Sequence, residues 1–313
     1  MSETRTRLLV HSKRKLCYDY GGDSILSILG RLSFVRESCC SAPLPLPLAT
    51  EQLSNELLDS QAYQLARAAD ADQDIFSSAL ITSDPANAGS YLTSKVRVDI
   101  IMQKAMMELY STTAIAKSWR DVQLSISRLR AELEAWSTSF SFAMDFVQMN
   151  ADTNFLGARL RLEMLYIGAK ILITRPCLCR LDNRTANQPG APGNFTNQAA
   201  QVYIGAAKAI VDLLPDHTDA TYLYNAGPWR SVVYNLMQAL IILLLEMSYG
   251  TVYFPDDGKE ILVSVKKLIR CLRALAANNE VVQRARTVAF GALPELTLTR
   301  KVDLSDLIME DIV

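Results

Sequence analysis

The chain has 313 residues, of which 50% are hydrophobic and 21% are charged, a composition that excludes wholesale disorder. Its 32 Lys and Arg residues balance 33 Asp and Glu residues, so the net charge is −1. A chain this close to neutral is a poor candidate for a nucleic-acid coat or for a protein held on membranes by charge. The six cysteines fit no zinc framework, because no C-x2-C pair occurs in the sequence.

Apolar side chains recur with the period of a helix along most of the chain, and strand-like alternation is scarce, so the sequence predicts an all-α fold. The predicted helices span residues 3–18, 23–33, 50–68, 88–116, 119–137, 139–149, 155–174, 196–213, 228–249, 257–276 and 278–290. Ser118 and Asp121 have the spacing of a capping box at the start of a helix. Pro176 is expected to end the helix over 155–174, because proline interrupts helix interiors.

Two segments have the composition of loops. Residues 39–50 contain a P-L-P-L-P run typical of polyproline conformation, and residues 180–197 carry Asn, Gly and Pro in quick succession. We therefore expect one all-helical domain over residues 1–313, a single large helical bundle with mobile loops near 39–50 and 180–197.

Neither a membrane span nor a secretory leader is expected. Basic residues interrupt the first apolar stretch, and the longest apolar run, 236–247, contains Gln238 and Glu246 and is too short to cross a bilayer. This run indicates a buried helix instead. Without a secretory route the thiols stay reduced, so the sequence predicts a soluble protein of the cytoplasm.

The common catalytic motifs are missing from this sequence. It has no G-x-G-x-x-G, no G-K-[ST] and no H-E-x-x-H, and it lacks the D-D-x-x-D motif of ordinary terpene cyclases. His11 and His217 are its two histidines. Their number argues against a histidine-based catalytic triad and against a multi-histidine metal site.

Five short blocks follow one another between residues 5 and 250. They are S-I-L-S-I-L-G-R at 24–31, L-P-L-P at 44–47, I-L-I-T-R-P at 171–176, G-P-W at 227–229 and L-L-L-E at 243–246. In type and order these blocks resemble the fungal-specific transcription factor domain, the regulatory region of Zn2Cys6 activators. The resemblance implies an all-helical, non-enzymatic regulator that binds a partner or a small effector.

The sequence departs from that family in the parts that contact DNA. The six-cysteine zinc cluster, the basic linker and the dimerising coil are all missing. From these departures we predict no DNA binding by the family's route. The helical domain is then either a partner-dependent regulator or an all-helical domain that serves a different function.

Leu262 and Lys266 lie one helical turn apart near the C-terminus, and Val263 and Lys267 have the same spacing. This pair resembles the one found in the humulene synthases of fungal tropolone-sesquiterpenoid clusters, which are all-helical and lack the usual aspartate motifs. The resemblance implies farnesyl diphosphate as the substrate and a two-magnesium cluster. It also implies that Lys266 contacts the diphosphate and that Leu262 faces the substrate, with Lys267 remaining as an alternative lysine.

Arg270 belongs to a basic stripe on the same predicted helix. Lys259, Lys266, Arg270 and Arg273 recur at helical spacings, opposite a run of apolar positions. One interpretation is that this stripe grips a diphosphate, with Arg270 assisting Lys266. The alternative is an ordinary solvated helix face.

The predicted helix over 228–249 carries Asn235, Gln238 and Glu246 on one side of an otherwise apolar rod. A buried carboxylate is costly unless it is paired or binds a metal, so Asn235 and Glu246 are candidate magnesium ligands. The alternative is a structural hydrogen bond or ion pair.

Glu163 is the third candidate ligand, on the predicted helix over 155–174. Arg159, Glu163 and Lys170 share one side of that helix. Pairing of Glu163 with Arg159 or with Lys170 inside the helix explains the pattern without any ligand.

The sequence therefore favours a magnesium-dependent sesquiterpene cyclase that converts farnesyl diphosphate to a humulene-type hydrocarbon, with Mg²⁺ as its cofactor. Farnesyl diphosphate is the expected partner, and no DNA binding is expected. The alternative is a non-enzymatic regulator, a transcription-factor regulatory domain without its DNA-binding module. The oligomeric state stays open.

Overall fold

The structure is a computed structural model that describes residues 88–144, 153–185, 194–216, 229–248 and 258–276, with 279–280, 282–284, 287 and 291. Its elements are α1 (Ala88–Leu109), a 3-10 turn (Thr112–Ala116), α2 (Trp119–Met144), α3 (Thr153–Thr185), α4 (Asn194–Asp212), α5 (Trp229–Ser248) and α6 (Gly258–Ala276). Every regular element in these ranges is helical, which confirms the all-α class. The helices predicted before residue 88 and the loop predicted at 39–50 lie outside the described residues.

Helix α3 is the element around which the others pack. It contacts α1 and α2 as well as α4, while α5 packs against α4 and α6. Its apolar side chains accordingly fall into two sets. Leu162, Ala169 and Ile173 belong to one buried cluster, and Met164 and Ile171 belong to another.

The first core is the cluster that α1 and α2 form with one side of α3. Its buried members include Ile101, Ile126, Leu129, Leu133 and Trp136. The second core is the cluster that α4, α5 and α6 form with the other side of α3. Its buried members include Ile204, Ile210, Leu236, Leu240 and Leu268.

Helix α6 shows how the sequence pattern produces the second core. Ile261, Val265, Leu268, Leu272 and Leu275 recur at intervals of three or four residues, and all are at most 1% exposed. Residues at these intervals lie on one side of a helix. Burial of this apolar side is therefore the main reason that the segment is helical here, since packing rather than local propensity stabilises most protein helices.

The serine half of the predicted capping box is present at the start of α2. The Asp121 backbone N–H donates to Ser118 Oγ at 3.2 Å, and the Ser118 hydroxyl donates to Asp121 Oδ2 at 2.5 Å. The serine thus satisfies one of the N–H groups that a helix start leaves unpaired.

The prediction that Pro176 ends its helix is wrong, because α3 continues through Pro176 to Thr185. A proline at this position has no N–H to donate to the carbonyl of Leu172, four residues earlier. The hydroxyl of Tyr110, the residue that follows α1, donates to that same carbonyl oxygen at 2.6 Å. A side chain from elsewhere in the fold therefore replaces the missing hydrogen bond. The loop predicted at 180–197 is also shorter than expected, because its first residues belong to α3 and its last residues belong to α4.

One helix in the described part of the chain, over Arg230–Ser248, has the length and composition of a membrane span. Within this stretch 61% is buried inside the protein, as in a core helix of a soluble protein. A single helix of this kind is weak support for a membrane span. Its side chains instead build the centre of the second core.

Candidate functional site

The sequence-predicted lysine site lies along α6. Lys266 and Arg270 are both half-buried and both have interaction partners within the protein. Leu262, one turn before Lys266, packs against the edge of the second core. Lys267 has a structural role, because its Nζ donates to the Leu214 carbonyl at 2.8 Å and pairs with Asp216 at 3.2 Å.

Glu163 lies on α3 and forms an ion pair inside that helix. The Arg159 Nε donates to Glu163 Oε1 at 2.9 Å, which is one of the two pairings expected from the spacing. Lys170 pairs with a different residue, because its Nζ lies 3.6 Å from Oε2 of Glu134 on α2. Its ammonium also lies over the Tyr166 ring, 4.3 Å from the centroid.

Asn235 and Glu246 are both buried in α5, at 7% and 2% exposure. The Asn235 Nδ2 donates to the Ser231 carbonyl at 2.9 Å, and Glu246 also has a partner within the protein. The two residues are eleven positions apart, which is about 16 Å along a helix axis. Magnesium ligands lie about 2 Å from the ion, so this pair does not fit one magnesium site.

The structure gives no further support for a metal centre in its described ranges. Within them, no group of three or more His, Cys, Asp or Glu side chains is arranged to hold a metal ion. The expectation of Mg²⁺ stays a prediction from the sequence. The roles given to Lys266, Leu262, Arg270 and the three candidate ligands likewise stay predictions from the sequence.

Two buried cysteines also offer no reactive group. Burial raises the pKa of Cys177 and of Cys271 to about 11, although the positive charges of Arg130 and Lys267 act in the opposite direction. Only the thiolate form of cysteine is a nucleophile. Both thiols are therefore inert core residues at neutral pH.

A cluster that the sequence did not indicate lies where α3 and α5 meet. We call Arg175, Tyr234 and Gln238 the Tyr234 cluster. The Gln238 Nε2 donates to the Tyr234 hydroxyl oxygen at 2.5 Å. Among the described residues, Gln238 Oε1 is buried and has no hydrogen-bond partner.

The pKa of the Tyr234 hydroxyl is influenced by residues of both α3 and α5. Burial raises the pKa of its hydroxyl, whereas the positive charge of Arg175 and the hydrogen bond from Gln238 lower that pKa. The Arg175 side chain is exposed. The arrangement supplies hydrogen-bond donors and a cation.

Sequence reasoning recognised Gln238 as a polar residue on an apolar helix but did not connect it with Tyr234 or Arg175. The useful signal was the i, i+4 spacing of Tyr234 and Gln238, which puts both on one side of α5. Arg175 was noted only as part of the I-L-I-T-R-P block. Its proximity to Tyr234 is a property of the tertiary structure.

Comparison with known proteins identifies two relatives. The chain is 22% identical to transcription regulator galc of Aspergillus niger, over 90% of this chain and 40% of that protein. It is 24% identical to an uncharacterized transcriptional regulatory protein of Schizosaccharomyces pombe, over 58% of this chain and 24% of that protein. No protein family profile matches the chain, and no solved structure matches it.

These relatives correct the main functional prediction. Both are named as transcription regulators, so the sesquiterpene cyclase, its humulene-type product and farnesyl diphosphate as the partner are wrong. The expectation of no DNA binding is also overturned, because both relatives are named for the regulation of transcription. Nothing supports the resemblance to humulene synthases.

The chain spans about two fifths of one relative's length and about a quarter of the other's. This extent fits one region of a longer type of protein. With its all-helical architecture and the ordered blocks in its sequence, the chain resembles the regulatory domain of fungal transcription factors.

Proposed function

We propose that the chain is a non-enzymatic regulatory module of the fungal transcription-regulator type, which binds a partner or a small effector and so changes transcription. The observation that carries the proposal is the similarity to transcription regulator galc, which extends over 90% of this chain. Similarity of this extent covers both cores and every described helix rather than a single motif.

The physical character of the described helices supports this function. Their charged side chains engage one another, as in the Lys104–Glu132 pair at 2.7 Å between α1 and α2. Half-buried polar groups gather instead at the Tyr234 cluster. Such a scaffold is suited to presenting a binding surface and to responding when that surface is occupied.

Similarity to transcription regulators indicates a soluble protein of the nucleus or the cytoplasm. The narrower expectation from the sequence is the cytoplasm. We propose cytoplasmic residence before any partner is bound. Fluorescence microscopy of a tagged chain, with and without a nuclear partner, tests this point.

The proposed function is tested by tethering. The 313-residue chain is fused to an unrelated DNA-binding domain in a fungal strain that carries a reporter gene under the matching operator. We expect reporter expression to change several-fold relative to the DNA-binding domain alone. An unchanged reporter, with the fusion expressed at the same level, would contradict the proposal.

Two valines of α6 provide a matched control. Val265 is 0% exposed and Val263 is 65% exposed. Val265→Asp places an unpaired charge in the second core and should remove the reporter effect by unfolding the module. Val263→Asp adds the same charge at the surface and should leave the effect intact.

A further inference from the structure

The outer side of α5, which faces away from the second core, carries no charged residue after its first turn. Its positions that are not buried follow the period of a helix, and they are Tyr234, Met237, Gln238, Ile241, Leu245 and Ser248. Glu246, the remaining charged residue of α5 after the first turn, is 2% exposed, whereas Ile241 is 49% exposed. The surface of a helix in a soluble protein usually carries charged side chains. An apolar strip in their place is typical of an interaction site.

Two contacts show which side of α6 faces α4. Glu260 pairs with Lys208 of α4 at 3.1 Å, and Lys267 donates to the Leu214 carbonyl just after α4 at 2.8 Å. A helix turns by about 100° per residue, so Leu262 and Lys266 lie about 100° or more around α6 from both Glu260 and Lys267. The second helix that packs against α6 is α5. Leu262 and Lys266 therefore lie on the side of α6 toward α5.

The two helices border a groove at the protein surface. They pack against each other and only residues 249–257 separate them in sequence, so they run antiparallel. In this arrangement Ile241 lies near the level of Lys266. Met237 of α5 and Leu262 of α6 are both partly buried and pack against the edge of the second core. We call Met237 and Ile241 of α5 with Leu262 and Lys266 of α6 the α5–α6 groove.

Positive charge is concentrated on the α6 side of this groove. Helix α6 contains one acidic residue, Glu260, and its basic residues are Lys259, Lys266, Lys267, Arg270 and Arg273. Lys208 pairs with Glu260, so the single acid of α6 is already neutralised. Lys259 is exposed, and Lys266 and Arg270 remain partly exposed although they have partners within the protein. One wall of the groove is therefore uncharged and the other is basic.

We propose that the α5–α6 groove binds an acidic amphipathic helix of a partner protein. The apolar side of that helix lies on Met237, Ile241 and Leu262, as in other cases where an amphipathic helix occupies a groove. Its carboxylates face the basic residues of α6, and this complementarity selects an acidic helix over a basic one. The surface deepens the proposed function by naming the chemistry of the partner, and its meaning for transcription rests on that function.

The test is fluorescence anisotropy with the purified 313-residue chain and labelled peptides of about four helical turns. One peptide places Leu on one side of a helix and Glu on the other, a second has Lys in place of every Glu, and a third is the first in scrambled order. We expect the Leu and Glu helix to bind about tenfold more tightly than either control. Its affinity should also fall as salt is added. Equal affinity for the Glu and Lys peptides would overturn the proposal.

Two matched pairs of variants locate the groove. Ile241 and Leu124 are both exposed apolar residues, at 49% and 62%, but Leu124 lies on α2. Ile241→Asp should weaken binding of the Glu peptide about tenfold, because it puts a carboxylate opposite an acidic helix, and Leu124→Asp should have no effect. Lys259→Glu should weaken binding several-fold, whereas Arg120→Glu, also at an exposed position on α2, should not. Circular dichroism checks that all four variants are folded.

Sedimentation velocity of the full chain tests a different occupant. Self-association that Ile241→Asp removes would show that a second copy of the chain fills the groove, and it would overturn the proposal. No measurable binding of the Glu peptide, or equal weakening by Ile241→Asp and Leu124→Asp, would also overturn it. Peptide binding involves no transcription and the tethering assay involves no peptide, so failure of the groove and failure of the proposed function are distinguishable.

Discussion

The two cores of the molecule are held together in different ways. Around the first core, polar side chains link neighbouring elements. Glu132 joins α2 to Lys104 of α1, Glu134 of α2 accepts from Tyr166 of α3, and Tyr110, just after α1, donates to α3. Trp136 and Tyr166 also contact each other, with ring centroids 5.8 Å apart. The second core is built mostly of aliphatic side chains, with the Lys208–Glu260 pair at 3.1 Å joining α4 to α6 beside it.

This difference separates two tasks of a helical scaffold. Directional contacts such as hydrogen bonds fix how one helix is rotated against another. Aliphatic contacts instead stabilise any close packing that buries enough apolar surface. The rotation of the helices around the first core is therefore fixed by specific hydrogen bonds and ion pairs. Around the second core the corresponding polar links join α6 to α4 and to the residues just after it, and the polar residues Tyr234, Gln238 and Asn235 lie on α5.

The largest expected effect comes from the same truncation made in each core. Leu129 of the first core and Leu240 of the second are both 0% exposed. Leu129→Ala and Leu240→Ala should each lower the free energy of unfolding by about 2–5 kcal/mol. Because α3 contributes to both cores, we expect a single urea transition in both variants, followed by circular dichroism. Two transitions, each shifted by one variant only, would instead show two independent units and would contradict the expected single domain.

The next effect concerns one buried thiol in each core. Burial raises the pKa of Cys177 and of Cys271 from the ordinary thiol value of 9.0 to about 11 in the folded protein. As the pH rises above 9, the unfolded state loses its thiol protons first, so stability is full below pH 9 and falls between pH 9 and 11. Two pKa units correspond to roughly 2–3 kcal/mol per thiol.

Urea denaturation between pH 8 and pH 10.5 measures this loss. Cys177→Ala and Cys271→Ala should each make the decline of stability with pH shallower, and the double variant should make it shallower still. Tyrosine and lysine ionisation is common to all four proteins. A decline that none of the variants alters would count against the raised pKa values.

The smallest expected effect tests the link between Tyr110 and the proline in α3. Tyr110→Phe leaves the Leu172 carbonyl without its 2.6 Å donor and should cost about 1–2 kcal/mol of stability. Pro176→Ala restores a backbone N–H to that carbonyl. In a double-mutant cycle, Tyr110→Phe should therefore cost less in the Pro176→Ala background. Equal costs in both backgrounds would show that the hydroxyl does not substitute for the missing N–H.

Much of the helical architecture was predictable because burial follows the sequence period. The predicted helices over 228–249 and 257–276 differ from α5 and α6 by one residue at either end at most. Their apolar faces repeat without interruption, so local pattern and tertiary packing agree. The helices predicted over 119–137 and 139–149 are instead parts of the single helix α2, at least to Met144.

The extension of α3 beyond Pro176 was not predictable, because the compensating hydroxyl comes from Tyr110, more than sixty positions earlier. The candidate site was out of reach for a similar reason. Tyr234 and Gln238 are neighbours by spacing, but Arg175 joins them only through the packing of α3 against α5. The stripe of basic residues on α6 was easier to see, because it lies within a single helix.

The position of α3 limits which parts of the molecule can respond to a bound effector. Both of its long sides are buried, so a rotation about its own axis would expose apolar surface of both cores at once. A slide by one turn, about 5.4 Å, would misalign both sets of contacts. Displacement is less costly for α6, which contributes to a single core and lies at its edge in the packing order of the helices.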